Sequence, residues 1–218
     1  MTKFPKHLFD EPDPDPDTLA NLGPLGPMAG IWEGEKGKDI KPTEAGAASQ
    51  RYIERIELQP IDPQMNGPQL LYGLRYHAHI VKPGEVETYH DQTGYWLWEP
   101  ATGRILHSLT IPRGQVVLAK GKAKADAKKF TVKARRGNTE NGICSGSFLE
   151  ENFRTDRFSM TVTVHGPDSW SYEESTILKI KGVRTPFDHR DKNALHRIQP
   201  AKRNPLARGK RRAVSREG

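Results

Sequence analysis

Residues 72–80 read Tyr72-Gly73-Leu74-Arg75-Tyr76-His77-Ala78-His79-Ile80, and their alternation decides the fold. Tyr72, Leu74, Tyr76, Ala78 and Ile80 share one face of an extended chain, with Arg75, His77 and His79 on the other. A period of two marks a strand with one buried side. The same period recurs elsewhere. Phe130, Val132 and Ala134 alternate with Thr131, Lys133 and Arg135, and Phe158, Met160, Val162 and Val164 with Ser159, Thr161, Thr163 and His165. Tyr52, Ile56 and Leu58 alternate less cleanly with Ile53, Arg55 and Glu57. Turn clusters separate the runs: Lys82-Pro83-Gly84, Pro100-Ala101-Thr102-Gly103, Arg136-Gly137-Asn138 and Gly166-Pro167-Asp168.

The spacing gives roughly ten strands joined as hairpins, with no helical stretch long enough for a βαβ crossover. A sheet of that size in so short a chain removes its edges most economically by closing on itself. The expected fold is therefore all-β: a closed antiparallel up-and-down β-barrel of about ten strands with a short N-terminal helical plug. Barrels of this size have room for one small ligand. Asp17 is expected to cap a turn through Thr18–Leu22, which Gly23-Pro24 and Gly26-Pro27 then stop. The expected division is an acidic, Pro-rich segment over 1–16, the barrel over 17–200 and a basic tail over 201–218.

The 218 residues suit one domain with tails, and the mean hydropathy of −0.75 argues against a large all-helical core. No apolar run approaches the roughly 20 residues of a membrane span, so no membrane partner is expected. The N-terminus lacks the apolar centre of a signal peptide, and Cys144 is the single cysteine, which together point to a reducing cytoplasm. The net charge of +7 is mostly a property of the tail. From 201 onward seven basic residues face only Glu217, whereas the first 22 residues are net acidic. The tail has no aromatic residue to stack on bases, so a solvated tail is favoured over a nucleic-acid site. Oligomeric state is open, with a homodimer one option.

Nucleophile and phosphate-binding motifs such as G-x-S-x-G, a P-loop and C-x-x-C are missing, and no catalytic residue is assigned. His77 and His79 share one strand face and, with His90 on the next strand, could form a metal site, but the tyrosines and aliphatics lie opposite, which directs His77 and His79 to solvent. His107 shares parity with Ile105, Leu109 and Ile111, either as a hydrogen-bonded core residue or as a ligand contact. Glu54 and Glu174 fall on apolar faces, where a carboxylate must be paired or protonated. Gly30-Ile31-Trp32 opens the first strand, with Arg197 placed to stack on the indole and plug the closed end.

The segment Thr185–Pro200, TPFDHRDKNALHRIQP, closes the barrel. With Gly30-Ile31-Trp32-Glu33-Gly34, Pro42-Thr43, Tyr52-Ile53-Glu54, Thr93-Gly94-Tyr95, the Pro100 and Gly114 turns, Asp188-His189 and Leu195-His196-Arg197, the chain from about Leu22 to Gln199 resembles the nitrobindin family of heme-binding β-barrels. It departs at Lys36, which lengthens the glycine motif by one residue, and at Arg190–Asn193, where the family has small apolar residues. The resemblance implies heme b with His189 as axial iron ligand, and Thr43 against the heme. His107 and Tyr76 are the further candidate contacts in the cavity. It also implies nitric oxide binding and peroxynitrite isomerisation to nitrate, an enzymatic activity that would depend on heme. The alternative is a heme-free carrier or sensor of a small apolar or amphipathic ligand, oriented by Tyr72, Tyr76, His107 or Glu54.

Overall fold

The computed structural model describes residues 4–203. Twelve strands follow in chain order: β1 Gly30–Thr43, β2 Gly46–Pro60, β3 Gln64–Asn66, β4 Gln69–Val81, β5 Thr88–Glu99, β6 Arg104–Ile111, β7 Gln115–Lys122, β8 Lys129–Arg135, β9 Ile143–Ser145, β10 Phe153–Gly166, β11 Ser169–Ile180 and β12 Phe187–Pro200. Ten form the barrel. Their pairing runs β2-β1-β12-β11-β10-β8-β7-β6-β5-β4, and β4 closes the circle antiparallel against β2. The short β3 and β9 lie off the ring, pairing with β4 and β7. Cys144 is exposed in β9. The expected barrel and its strand number therefore stand, and no helix among the described residues is long and apolar enough to cross a membrane.

Alternation sorts the side chains as the sequence implied. Tyr72, Leu74, Tyr76, Ala78 and Ile80 are buried together with Phe130, Val132, Phe158, Met160 and Val162. His77 and His79 lie outside, bonded to Asp91 and Thr88. His90 departs from that grouping. It shares parity with Gln92, Trp96 and Trp98 on β5 and faces the interior.

The plug is longer than expected. Helix α1, Thr18–Asn21, leads not to a stop but to a 3-10 helix over Gly23–Met28, whose Leu25 and Met28 are completely buried. Gly23 adopts φ +53°, and a Cβ there would meet the Trp98 ring at 2.5 Å, so only glycine lets the plug sit this close. Asp17 occupies the N-cap position of α1 but makes no capping bond with its side chain, because its carboxylate pairs with Arg203. Trp32 donates its indole N–H to Met28 O at 2.7 Å. The Arg197 guanidinium lies 4.4 Å from the Trp32 ring and bonds to the carbonyls of Ala29, Pro27 and Pro167. Together these close one end of the barrel. Tyr72, placed in the cavity by the carrier reading, is buried instead opposite Trp98, away from the cavity wall.

The extra residue in the glycine motif is absorbed by a β-bulge: Gly34 pairs with Glu54 and Gly37 with Tyr52, three steps on β1 against two on β2. The bulge reverses parity along β1, so Trp32 and Asp39 both point inward despite their odd separation. The two glycines also make room. A Cβ on Gly34 would lie 2.4 Å from the Asn193 amide, and one on Gly37 2.1 Å from the Tyr52 ring.

Candidate functional site

Strand β12 starts at Phe187, so His189 stands within the closing strand. The pleat then sorts its polar run. His189, Asp191, Asn193, Leu195 and Arg197 point inward, while Arg190, Lys192, Ala194 and His196 are exposed. Arg197 over Trp32 sets this parity, and the rest follows from the period of two.

The inward residues build a hydrogen-bonded network on one wall. The Asn193 amide donates to Glu54 at 3.0 Å and to Gly34 O at 3.3 Å. Tyr172 donates to Glu54 at 2.9 Å, and its hydroxyl meets that of Tyr52 at 2.8 Å. Tyr52 in turn bonds to Asp191. Burial, only partly offset by the bonds from Asn193 and Tyr172, pushes Glu54 up to about 8. Burial and the neighbouring Asp191 push Glu174 up to about 8 as well. Asp191 rises less, to about 6, because the Tyr52 bond opposes its burial. Glu54 and Glu174 are thus neutral acids near pH 7, which answers the requirement that buried carboxylates be paired or protonated.

His189 is half-buried, and its Nε2 lies 2.6 Å from Asp39 Oδ1. Burial works against the charged imidazole, but the bond and charge of Asp39, with Glu174 and Asp191 behind it, outweigh that and raise its pKa. Burial likewise opposes ionisation of Asp39, and the bonds from His189 and Tyr89 overcome it, holding the carboxyl below its ordinary value.

Two cavities meet at this histidine. The inner one, about 240 Å³, is lined by Asp39, Tyr52, Glu54, Tyr172, Glu174, His189 and Asp191 together with Ile56, Tyr76, Trp96, His107, Met160 and Trp170. The outer one, about 390 Å³, lies towards helix α2, Ser147–Asn152, and is lined largely by Leu109, Ile111, Val117, Phe148, Leu149, Phe153, Phe158 and Leu178. His189, Glu174, His90, Gln92 and Arg113 border both. Phe148 and Phe153 are exposed at 67% and 40%, an apolar rim on the open side.

A directional chain crosses from the rim to the core. Arg113, which can only donate, meets His90 Nδ1 at 2.9 Å, and His90 Nε2 meets Gln92 Oε1 at 3.2 Å. Gln92 donates to Tyr76 Oη at 3.0 Å, and Tyr76 Oη lies 3.0 Å from His107 Nε2. If Tyr76 gives its proton to His107 Nε2, every buried group along the chain is satisfied up to His107 Nδ1. The reverse direction would leave the tyrosine proton unmatched too, so the first assignment holds. Burial lowers His107 to about 3, keeping it neutral with its proton on Nδ1. His107 also stacks on Trp96 at 3.8 Å.

Of the residues expected at the site, the structure brings His189, His107 and Tyr76 to the inner cavity. Thr43 is not with them. It is exposed at the β1–β2 hairpin, donating to Gly46 O at 2.8 Å. Asp39, Asp191, Asn193 and Arg113 escaped sequence reading, and His90 was considered only together with His77 and His79. The β12 residues and His90 were legible from the parity of Arg197 and of Trp96, whereas Asp39 is hidden behind the bulge. Among the described residues no group of three or more His, Cys, Asp or Glu side chains is arranged to hold a metal ion by itself.

Comparison with known proteins adds three findings. The chain has the fold of Rv2717c from M. tuberculosis, known from a crystal structure, with a TM-score of 0.57 at 20% identity, over 83% of this chain and 96% of that one. No curated protein matches it. A family model described as THAP4-like, heme-binding beta-barrel domain matches residues 21–197, which is nearly the whole barrel. On that match the chain belongs to the family of THAP4-like heme-binding β-barrel domains, the nitrobindins whose motifs its strands carry.

Proposed function

We propose that this barrel binds heme b in its outer cavity with His189 as the axial ligand to iron. The observation that carries the reading is the position of His189 on the border of an apolar cleft, with its Nε2 held by Asp39. A ligating histidine commonly gives its other ring proton to a carboxylate, which fixes the tautomer and raises the basicity of the free nitrogen. With Asp39 on Nε2, the lone pair belongs to Nδ1. The cleft suits the group in its other chemistry too. Leu109, Val117, Phe158 and Leu178 offer an apolar surface to a flat macrocycle, and Arg113 at the border offers a cation to its carboxylates.

A bound heme would supply an iron able to take up a small gas molecule. Nitric oxide binding and peroxynitrite isomerisation are the activities that the family resemblance attaches to such a site. The chain's own part is to hold a neutral imidazole in place and keep water from one heme face.

Hemin titration followed by absorbance tests the reading. Wild type should shift and sharpen the Soret band at equimolar hemin, and His189→Ala should not. An identical spectrum in the two proteins, or no shift in either, would sink the proposal. Because ligation needs the neutral ring and the His189 pKa is raised, affinity should fall as the pH drops through that raised value. In Asp39→Asn the midpoint should move down, towards the ordinary histidine value near 6.5.

A further inference from the structure

We infer that the outward face of β6, β7, β8 and β10 docks on the phosphate backbone of a nucleic-acid duplex, without reading its bases. Residues 121–136, GKAKADAKKFTVKARR, hold seven basic side chains against the single acid Asp126. The run covers the end of β7, the turn after it and the whole of β8. Its pleat buries Phe130, Val132 and Ala134 and so turns Lys129, Lys133 and Arg135 outward. Register then sets cation against cation. Arg104 lies opposite Lys122, Lys120 opposite Lys133, and Arg135 opposite Arg157. Like charges directly opposite across strands repel and lower stability. Two of these six are answered by acids, Arg104 by Glu99 and Lys120 by Glu140. Lys122, Lys133, Arg135 and Arg157, with Lys124, Lys128 and Lys129 beside them, are all exposed, and none has an ion-pair partner among the described residues. An anionic partner would turn that repulsion into attraction.

Shape and chemistry choose among anions. Lys129 to Arg135 covers six strand steps and β6 to β10 three strand spacings, a band of about 20 Å by 14 Å. That is room for several successive phosphates rather than for one. Ser159, Thr161 and Thr163 lie opposite Lys133, Thr131 and Lys129, so hydroxyl donors stand beside the cations. Phosphate backbones are held by Lys, Arg and hydroxyl groups together. A shallow hollow of about 280 Å³ among Thr102, Arg104, Lys120 and Lys122 can seat one phosphate group. Apart from Phe153 at the rim of the outer cleft, these strands expose no Phe, Tyr or Trp, which removes the stacking that single strands use. The hairpin is flanked by β6 and β10 and cannot enter a groove as a free ribbon would, so contact stays on the backbone. A duplex bound regardless of sequence meets all of these conditions.

The test titrates the full chain into a labelled DNA duplex of mixed sequence, followed by fluorescence anisotropy over a range of salt concentrations, and it is independent of the heme reading. Lys122→Gln/Lys129→Gln/Lys133→Gln is compared with Lys36→Gln/Lys38→Gln/Arg51→Gln, which removes the same charge from β1 and β2 across the ring. The basic residues after 203 are common to all three proteins. The first variant should bind at least about tenfold more weakly, and its slope of log affinity against log salt should be shallower by about 3, from roughly 0.9 per lost phosphate contact. The second should stay within about twofold of wild type. The melting temperature of the first variant should hold or rise, because cross-strand repulsion is relieved; a fall would remove the premise of the inference. No binding by wild type at low salt overturns it. So does an equal loss in both variants, or no loss in the first, which would leave the binding to the residues after 203. Tighter binding to the single strand, or to phosphatidylserine vesicles at the same salt, overturns the choice of a duplex as partner.

Discussion

Replacing Glu54 with glutamine isolates the buried acid on which the interior network rests. In the folded protein the Glu54 carboxyl is pushed up to about 8, whereas in the unfolded chain it titrates near 4.5. Between those values the native state keeps a proton that the unfolded state has lost. Stability from this group therefore declines as the pH rises, by about 1.4 kcal/mol per unit, and flattens once the native carboxyl ionises. Integrated from pH 5 to pH 8, one such residue accounts for a loss of about 3 kcal/mol. Glutamine has nearly the same shape and its carbonyl can still accept from Tyr172 and Asn193, so Glu54→Gln should retain the fold while losing this slope. Urea unfolding at several pH values measures it. The difference in unfolding free energy between variant and wild type should shift in the variant's favour by about 3 kcal/mol from pH 5 to pH 8. Curves that stay parallel over that range would mean that Glu54 is hydrated or paired with a cation, and would refute the account of the interior given above. Glu174, raised similarly, contributes a slope of its own and stays in both proteins.

Two further substitutions test how the barrel is closed. Gly37→Ala puts a methyl group 2.1 Å from a Tyr52 ring that is fully buried and anchored to Tyr172 and Asp191, so it should lower stability by about 1–3 kcal/mol; an unchanged urea midpoint would show that the bulge yields freely. Arg197→Met keeps the bulk over Trp32 but loses the cation and leaves the carbonyls of Ala29, Pro27 and Pro167 without their donor, for a loss of about 2 kcal/mol and a lower melting temperature. Arg197→Lys should restore little of it, since an ammonium cannot reach three carbonyls as a planar fork does.

Several features were legible in the chain itself. A period of two needs only local geometry, so the strands, their inward faces and the closure of an all-β sheet could be read from the runs at 52–58, 72–80, 130–135 and 158–165. The Arg197–Trp32 stack was readable in the same way, and its parity carried His189 inward. The residues from 204 onward, and with them most of the basic tail, lie outside the described residues.

What sequence could not deliver depended on strand register and on neighbours distant along the chain. Lys36 appeared as one residue too many; only pairing of β1 with β2 shows it as a bulge that turns Asp39 towards His189. The run Arg190–Asn193 appeared as four polar neighbours of one histidine, and the pleat divides it into two inside and two outside. Thr43, adjacent to the site by motif, lies at a hairpin because the strand ends there. The raised acids arise from burial by strands more than a hundred residues apart in some pairs, such as Glu54 with Tyr172. The amino-acid sequence by itself determined the barrel and its inward faces, because alternation is a local property. Tertiary structure alone decided which inward groups meet, and therefore their protonation, because both depend on register across the sheet and on exclusion of water by distant strands.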